Sequence, residues 1–291
     1  MPDYVDSIFN DVMSLKIQGA TNVAYSVIDA VRGTIKQGVK DGAQLKTIAE
    51  KIANARANEP LARNAVKFIF GPGDIEDNCE KYQSLITTSK LGLIEPAIEL
   101  LATSQIIMTH CHSSTTTSAI KRLWQKNNAL KVITTETRPM FQGRITATEL
   151  IAEGIETYMI VDSATSQFLM DTTSLPVDSV LIGCDEILSD GSIVNKIGSL
   201  DIALACAKSK KPVYVMTSLL KIDTEKTSAN VKIEYRNPSE IWPDAPANLI
   251  ILNPAFDIVD PSLITAFITE AGIIKPEDVS AKAIERYNWL L

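Results

Sequence analysis

The chain has 291 residues, with 35 acidic side chains against 28 Lys and Arg, a formal net charge of −7 and a pI near 5.0. Hydrophobic residues make up 45% and charged residues 22%, a globular balance rather than a disordered one. The acidic surplus argues against wrapping nucleic acid, which needs an excess of Lys and Arg, and no apolar run approaches the ~20 residues that span a bilayer. The N-terminal twenty residues carry acids where a secretory signal needs bases, so a cytoplasmic protein is expected, with neither nucleic acid nor membrane as partner. Four widely spaced cysteines, Cys79, Cys111, Cys184 and Cys206, form no C-x-x-C pair and no disulfide framework.

Residues 1 to about 90 predict helices throughout. Segments 21–38 and 42–58 place apolar residues three and four apart, punctuated by Gly33, Gly38, Gly42 and Pro60, and residues 68–74 read as a break. From about 104 the texture changes. Strands are expected at 104–110, 131–137, 156–162, 179–187, 211–218 and 247–253. Helices are expected at 118–128, 145–154, 163–172, 200–210 and 261–274. Near-continuous aliphatic strands alternating with helices imply βαβ units and a parallel sheet buried on both faces. The expected fold class is therefore α/β: a helical N-terminal domain over residues 1–100 and a Rossmann-like, doubly wound parallel sheet over 101–291.

Ligands of such sheets bind beyond the carboxyl ends of the strands, which selects four loops. The first, residues 109–117, runs Thr-His-Cys-His-Ser-Ser-Thr-Thr-Thr into a helix start, where free N–H groups favour an anion and a lowered thiol pKa is expected for Cys111. The alternatives there are a Ser/Thr run that is simply an N-cap with Cys111 as packing or, because His110 and His112 flank the thiol, a metal site short of ligands. The second loop, Gly183-Cys184-Asp185-Glu186, offers an acid to the cleft or a simple turn. The third, residues 190–199, opens on an Asp-Gly turn and carries Asn195 and Lys196 before a Gly-Ser helix start, suited to phosphate or merely solvated. The fourth, residues 135–144, sets Arg138 and Arg144 around a Pro and a Gly, with Gln142 between them, suited to capture of phosphate or merely to surface salt bridges. In the helical part, Gln18-Gly19-Ala20-Thr21 offers bare N–H groups, and Arg56 and Arg63 bracket Asn58-Glu59-Pro60.

In this order the loops resemble a superfamily comprising regulatory subunits of eukaryotic translation initiation factor 2B, methylthioribose-1-phosphate isomerase and archaeal-type ribose-1,5-bisphosphate isomerase. The resemblance runs from Ile17-Gln18-Gly19-Ala20 to Asn253-Pro254-Ala255-Phe256-Asp257 and Thr269-Glu270-Ala271-Gly272-Ile273-Ile274. It implies a catalytic Cys at Cys111 and a catalytic Asp at Asp185, a pair that initiation-factor subunits commonly lack. The loop His110-Cys111-His112-Ser113-Ser114 looks more like the ribose-1,5-bisphosphate isomerase form than the methylthioribose form. The chain departs from the isomerase pattern at Gln18, where the family usually has Arg, and at Ala57-Asn58, where Pro-Thr follows the Arg matched by Arg56.

The resemblance implies conversion of ribose 1,5-bisphosphate to ribulose 1,5-bisphosphate without metal or organic cofactor. Asp185 is the expected acid at the ring oxygen and Cys111 the base at C2, with a hydride shift as the competing route. Gly19, Ala20, Arg56, Ser113, Arg138, Gln142, Asn195 and Lys196, with Arg144 in reserve, are the expected substrate contacts. Alternatives are a non-catalytic initiation-factor-like subunit that binds a sugar phosphate or nucleotide, and methylthioribose-1-phosphate isomerase. A homo-oligomer is expected, a dimer or a hexamer-of-dimers assembly.

Overall fold

A computed structural model describes residues 3–170 and 172–291. Six helices come first: α1 (Asp3–Met13), α2 (Ala20–Lys36), α3 (Gly42–Ala53), α4 (Pro60–Ile69), α5 (Ile75–Gly92) and α6 (Ile94–Leu101). Their starts are written locally. Asp41 accepts from the Ala43 N–H, Asp74 accepts from the Glu76 and Asp77 N–H groups, and Pro60 opens α4 where no N–H is needed. The expected break at 68–74 separates α4 from α5. Val23, Val27 and Val31 of α2 share a buried core with Ile48 and Ile52 of α3 and with Leu61, Ala65 and Ile69 of α4.

The α/β part runs β1 (Ile106–Thr109), α7 (Ser114–Lys126), β2 (Lys131–Thr135), α8 (Gln142–Ala152), β3 (Glu156–Ile160), α9 (Thr165–Leu169), β4 (Ser179–Ile182), β5 (Glu186–Leu188), β6 (Ile193–Lys196) and α10 (Ser199–Ser209). It continues with β7 (Val213–Met216), β8 (Ile222–Asp223), β9 (Phe256–Val259), β10 (Ala266–Thr269), β11 (Gly272–Ile274) and α11 (Val279–Arg286). The main sheet has the order β11-β10-β7-β4-β1-β2-β3, parallel except for β11. Alternation divides its residues between two cores. Met108, Val180, Ile182, Val213, Val215 and Phe267 face one side, with Ile202, Ala203 and Cys206 of α10. Ile107, Leu181, Met216 and Ile268 face the other, with Ile98 and Leu101 of α6 and Ile120 and Leu123 of α7. Period-two side chains that are apolar on both faces demand helices on both faces.

The chain winds outward from β1 through β2 and β3 in one direction, and from β4 through β7 and β10 in the other. Between β1 and β4 the order reverses, and this switch point leaves a crevice at the strands' carboxyl ends.

Three expectations are corrected. The run 179–187 is not one strand: β4 stops at Ile182, and β5 begins a second sheet of order β8-β5-β6-β9, in which β5 and β6 form a hairpin across Asp190-Gly191. Residues 247–253 form no strand, and Leu249, Ile250 and Leu252 are exposed. The helix expected at 261–274 is a short 3-10 turn followed by the β10–β11 hairpin, with Thr269 paired to Gly272. β-branched residues there outweigh the helical spacing because Phe267 and Ile268 fill opposite cores of the sheet. Part of the expected helix 163–172 falls on Asp171, outside the described residues; α9 itself ends at Leu169.

Helix α4 is tied to the second sheet by polar contacts. The Asn64 amide donates to the carbonyls of Leu220 and Ile222 at 2.8 Å. The fully buried carboxylate of Glu186 accepts from Asn58 at 2.8 Å and from Arg63 and Lys226 at 2.9 Å each. These bonds fix the helical part over the crevice.

Candidate functional site at the switch point

A cavity of about 400 Å³ lies over the crevice. Two helix N-termini open on it: Gly19, Ala20 and Thr21 of α2, and Ser113, Ser114 and Thr115 of α7. The positive ends of both dipoles, with their free first-turn N–H groups, favour an anion. Ser113 caps α7 by accepting from the Thr116 N–H at 3.3 Å. The loop after β4 approaches that cap closely at Gly183, where a Cβ would stand 3.0 Å from the Cβ of Ser113. A side chain at 183 would push the two walls apart.

Cys111 and Asp185 line this one cavity, the thiol from the loop after β1 and the carboxylate from the loop after β4. Asp185 is anchored by its N–H, which donates to the Val194 carbonyl at 3.0 Å. Burial pushes the Cys111 thiol up to about 11, with Lys196 pulling it down and Asp185 adding to the rise. The lowered value expected from the helix start is thus overturned: loss of hydration outweighs the helix end and the lysine. Lys196 is in turn held below its ordinary value by burial, and its ammonium lies 4.6 Å from the centre of the Phe256 ring.

Of the expected contacts, Gly19, Ala20, Arg56, Ser113, Gln142, Asn195 and Lys196 line the cavity. Arg138 lies outside it: its guanidinium packs 4.7 Å from the Phe141 ring centre and donates to the Ile241 carbonyl. Arg144 likewise stacks on Phe141 at 3.8 Å and pairs with Glu136. Both were expected at the site because they follow a strand, but the loop turns their side chains to the surface. Arg56 is buried and already paired with Glu59 at 3.0 Å and Glu234 at 3.2 Å. The Asn195 amide donates to Ser199 Oγ at 2.8 Å, whereas the Gln142 Oε1 is buried without a partner among the described residues.

Several lining residues were not singled out from sequence. Lys90 comes from α5, Lys221 from the turn after β7, and Arg236 from the irregular segment after β8. Nothing in local sequence marks them, because their convergence is tertiary. Glu59 is the other omission. It lines the cavity, its Oε2 has no hydrogen-bond partner among the described residues, and burial raises its carboxyl to about 7 against the opposing pull of Arg56.

His110 and His112 both hydrogen-bond through Nδ1 to threonine hydroxyls, Thr135 at 2.6 Å and Thr146 at 3.1 Å, and His110 Nε2 donates to the Ile197 carbonyl at 2.8 Å. Burial holds both rings below their ordinary pKa.

A doubly wound sheet with a cation-lined, helix-capped crevice at its switch point has the geometry and charge that suit a small anionic ligand. The chain belongs to the Initiation factor 2 subunit family, whose model matches residues 16–276. It is 30% identical over 311 residues to a ribose 1,5-bisphosphate isomerase of Pyrococcus furiosus, covering 98% of this chain and 94% of that protein. It is 33% identical over 246 residues to a methylthioribose-1-phosphate isomerase of Thermotoga neapolitana, covering 79% and 67%. Among solved structures, a translation initiation factor eIF-2B of Pyrococcus horikoshii OT3 superposes with a TM-score of 0.81 at 24% identity, covering 95% of this chain and 98% of that one.

Proposed function

We propose that this chain is an aldose–ketose isomerase that converts ribose 1,5-bisphosphate to ribulose 1,5-bisphosphate. The observation that carries the reading is one cavity holding both a thiol and a carboxylate among Lys90, Lys196, Lys221, Arg236 and two helix N-termini. Isomerisation needs one acid and one base near adjacent carbons, and two phosphates need positive charge at both ends. The relatives named ribose 1,5-bisphosphate isomerase, near full length, support this substrate over others.

In the proposed reaction Asp185 gives a proton to the ring oxygen as the C1–O bond breaks. Cys111 takes the C2 proton and returns it to C1, while the C2 hydroxyl proton restores Asp185, so the proton count closes with a ketone at C2. The Cys111 thiol must ionise first. Lys196 is the charge that most favours the thiolate, which gives it a part in forming the base beyond holding phosphate. Gln142 lines the cavity with its Oε1 lacking a partner among the described residues, which supports a role as acceptor from a sugar hydroxyl. Fixing both phosphates sets the reacting carbons against the two groups.

The test is incubation with ribose 1,5-bisphosphate and identification of the product by NMR, with 5-methylthioribose 1-phosphate as the competing substrate. Ribulose 1,5-bisphosphate is expected, and Cys111→Ser and Asp185→Asn each lose at least ~10³-fold in kcat while remaining folded. In heavy water, proton transfer places deuterium at C1 and a hydride shift does not. Binding without turnover leaves a ligand-binding subunit instead. We also propose self-association, supported by exposed Tyr235, Trp242, Leu249, Ile250 and Leu252 in one segment, which light scattering checks.

A further inference from the structure

Cys111 has a φ of 65°, a left-handed conformation that a residue with a side chain adopts at a cost. Threonine hydroxyls hold both of its backbone groups: its N–H donates to Thr137 Oγ1 at 3.0 Å, and its carbonyl accepts from Thr146 Oγ1 at 2.9 Å. Thr137 is itself left-handed, with φ 62°, and its N–H donates to the Asp162 carboxylate at 2.7 Å.

The direction of each bond behind Cys111 can be assigned. A carbonyl only accepts, so His110 Nε2 carries the proton that meets Ile197. Burial keeps this ring neutral, so its Nδ1 is an acceptor and Thr135 donates to it at 2.6 Å. The Thr135 oxygen, its proton committed, accepts from Thr137 at 3.1 Å. The Thr137 oxygen then has only acceptor capacity left, and the Cys111 N–H uses it. This one-way chain links the loops after β1, β2 and β6. On the other side Thr146 spends its proton on the Cys111 carbonyl, so His112 donates to it from Nδ1.

We infer that Thr137 is a positioning residue that holds Cys111 in its left-handed conformation and so keeps the thiol aimed into the cavity, with His110 and Thr135 fixing the direction of the Thr137 hydroxyl. The inference rests on the isomerase reading for its kinetic consequence but not for its structural one. Thr137 does not line the cavity, so its effect must pass through Cys111. Cys111 is partly exposed at the cavity wall; a released loop gives the thiol fuller access to water and to a reagent, so that it ionises and reacts more easily.

The experiment compares Thr137→Val, which keeps the shape and deletes the hydroxyl, with Thr137→Ser, which keeps the hydroxyl. Iodoacetamide labelling of Cys111 in the full chain at pH 8, read by mass spectrometry of the 111 peptide, needs no substrate. Labelling is expected at least tenfold faster in Thr137→Val and within twofold of the parent in Thr137→Ser. With ribose 1,5-bisphosphate, Thr137→Val is expected to lose on the order of 10²-fold in kcat with KM within threefold, and Thr137→Ser to recover it. Unchanged labelling in Thr137→Val overturns the positioning role whether or not the chain proves to be an isomerase. Thr146→Val, which frees the Cys111 carbonyl instead, gives a second route to the same labelling change if Thr137→Val fails to fold. Altered labelling with no turnover in the parent protein leaves the positioning role standing and removes only the isomerase reading.

Discussion

Glu59 gives the sharpest prediction, because its carboxyl is buried beside a single arginine that already faces a second acid. Burial raises it from 4.5 to about 7, so ionising it in the folded chain costs about 3 kcal/mol more than in the unfolded chain. The sign follows from the raised value. The protonated form favours the folded state below about 4.5, and that stability is lost as the pH climbs through about 7. Glu59→Gln keeps an acceptor for Arg56 and removes the ionisation. Its stability relative to the parent should therefore be flat at low pH, rise between pH 4.5 and 7, and level off at a gain of about 3 kcal/mol above pH 7.5. Urea denaturation at half-unit intervals from pH 4 to 8.5 measures this. A difference independent of pH would refute the assignment of a near-neutral carboxyl. The same ionisation adds negative charge to the cavity and holds Arg56 back from a ligand. Sulfate, whose charge is constant over this range, should bind more weakly as the pH rises through 7 in the parent and with little pH dependence in Glu59→Gln.

Further outcomes follow from single contacts. The Cys111 thiol, pushed up to about 11, should label with iodoacetamide at a rate that climbs without a plateau from pH 7 to 10; a plateau near pH 8 would contradict the burial argument. Gly143→Ala places a Cβ 1.8 Å from the Thr135 carbonyl oxygen and should cost about 3 kcal/mol or more in chemical denaturation, since backbone must move at the start of α8. Glu186→Ala removes the buried acceptor shared by Asn58, Arg63 and Lys226, but both cations keep Asp223, so a loss of about 1–3 kcal/mol is expected in chemical denaturation, with increased proteolysis between the helical part and the second sheet.

Local pattern carried much of the main sheet because its strands are short and apolar on both faces. Ile106–Thr109, Lys131–Thr135 and Val213–Met216 announce themselves by composition, and the loops that follow β1 and β4 locate the crevice from sequence. The β10–β11 hairpin departs from the expected helix because Phe267, Ile268 and Ile274 also fit a helical spacing, and only the neighbouring strand β7 decides between the two. Residues 247–253 look like a buried strand, yet Leu249, Ile250 and Leu252 lie exposed, because the segment joins neither sheet.

By itself the sequence determined the alternation of strand and helix, and with it the crevice, the thiol of Cys111 and the carboxylate of Asp185, since these depend on residues near one another in the chain. The tertiary structure alone decided which charges reach that crevice. Arg138, adjacent to the right loop, turns away, while Lys90, Lys221, Arg236 and Glu59 arrive from elements scattered along the chain. It also set the protonation of the thiol. A helix start favours the anion, but the loss of water around a buried sulfur is the larger effect, and hydration depends on everything packed around the group rather than on its neighbours in sequence.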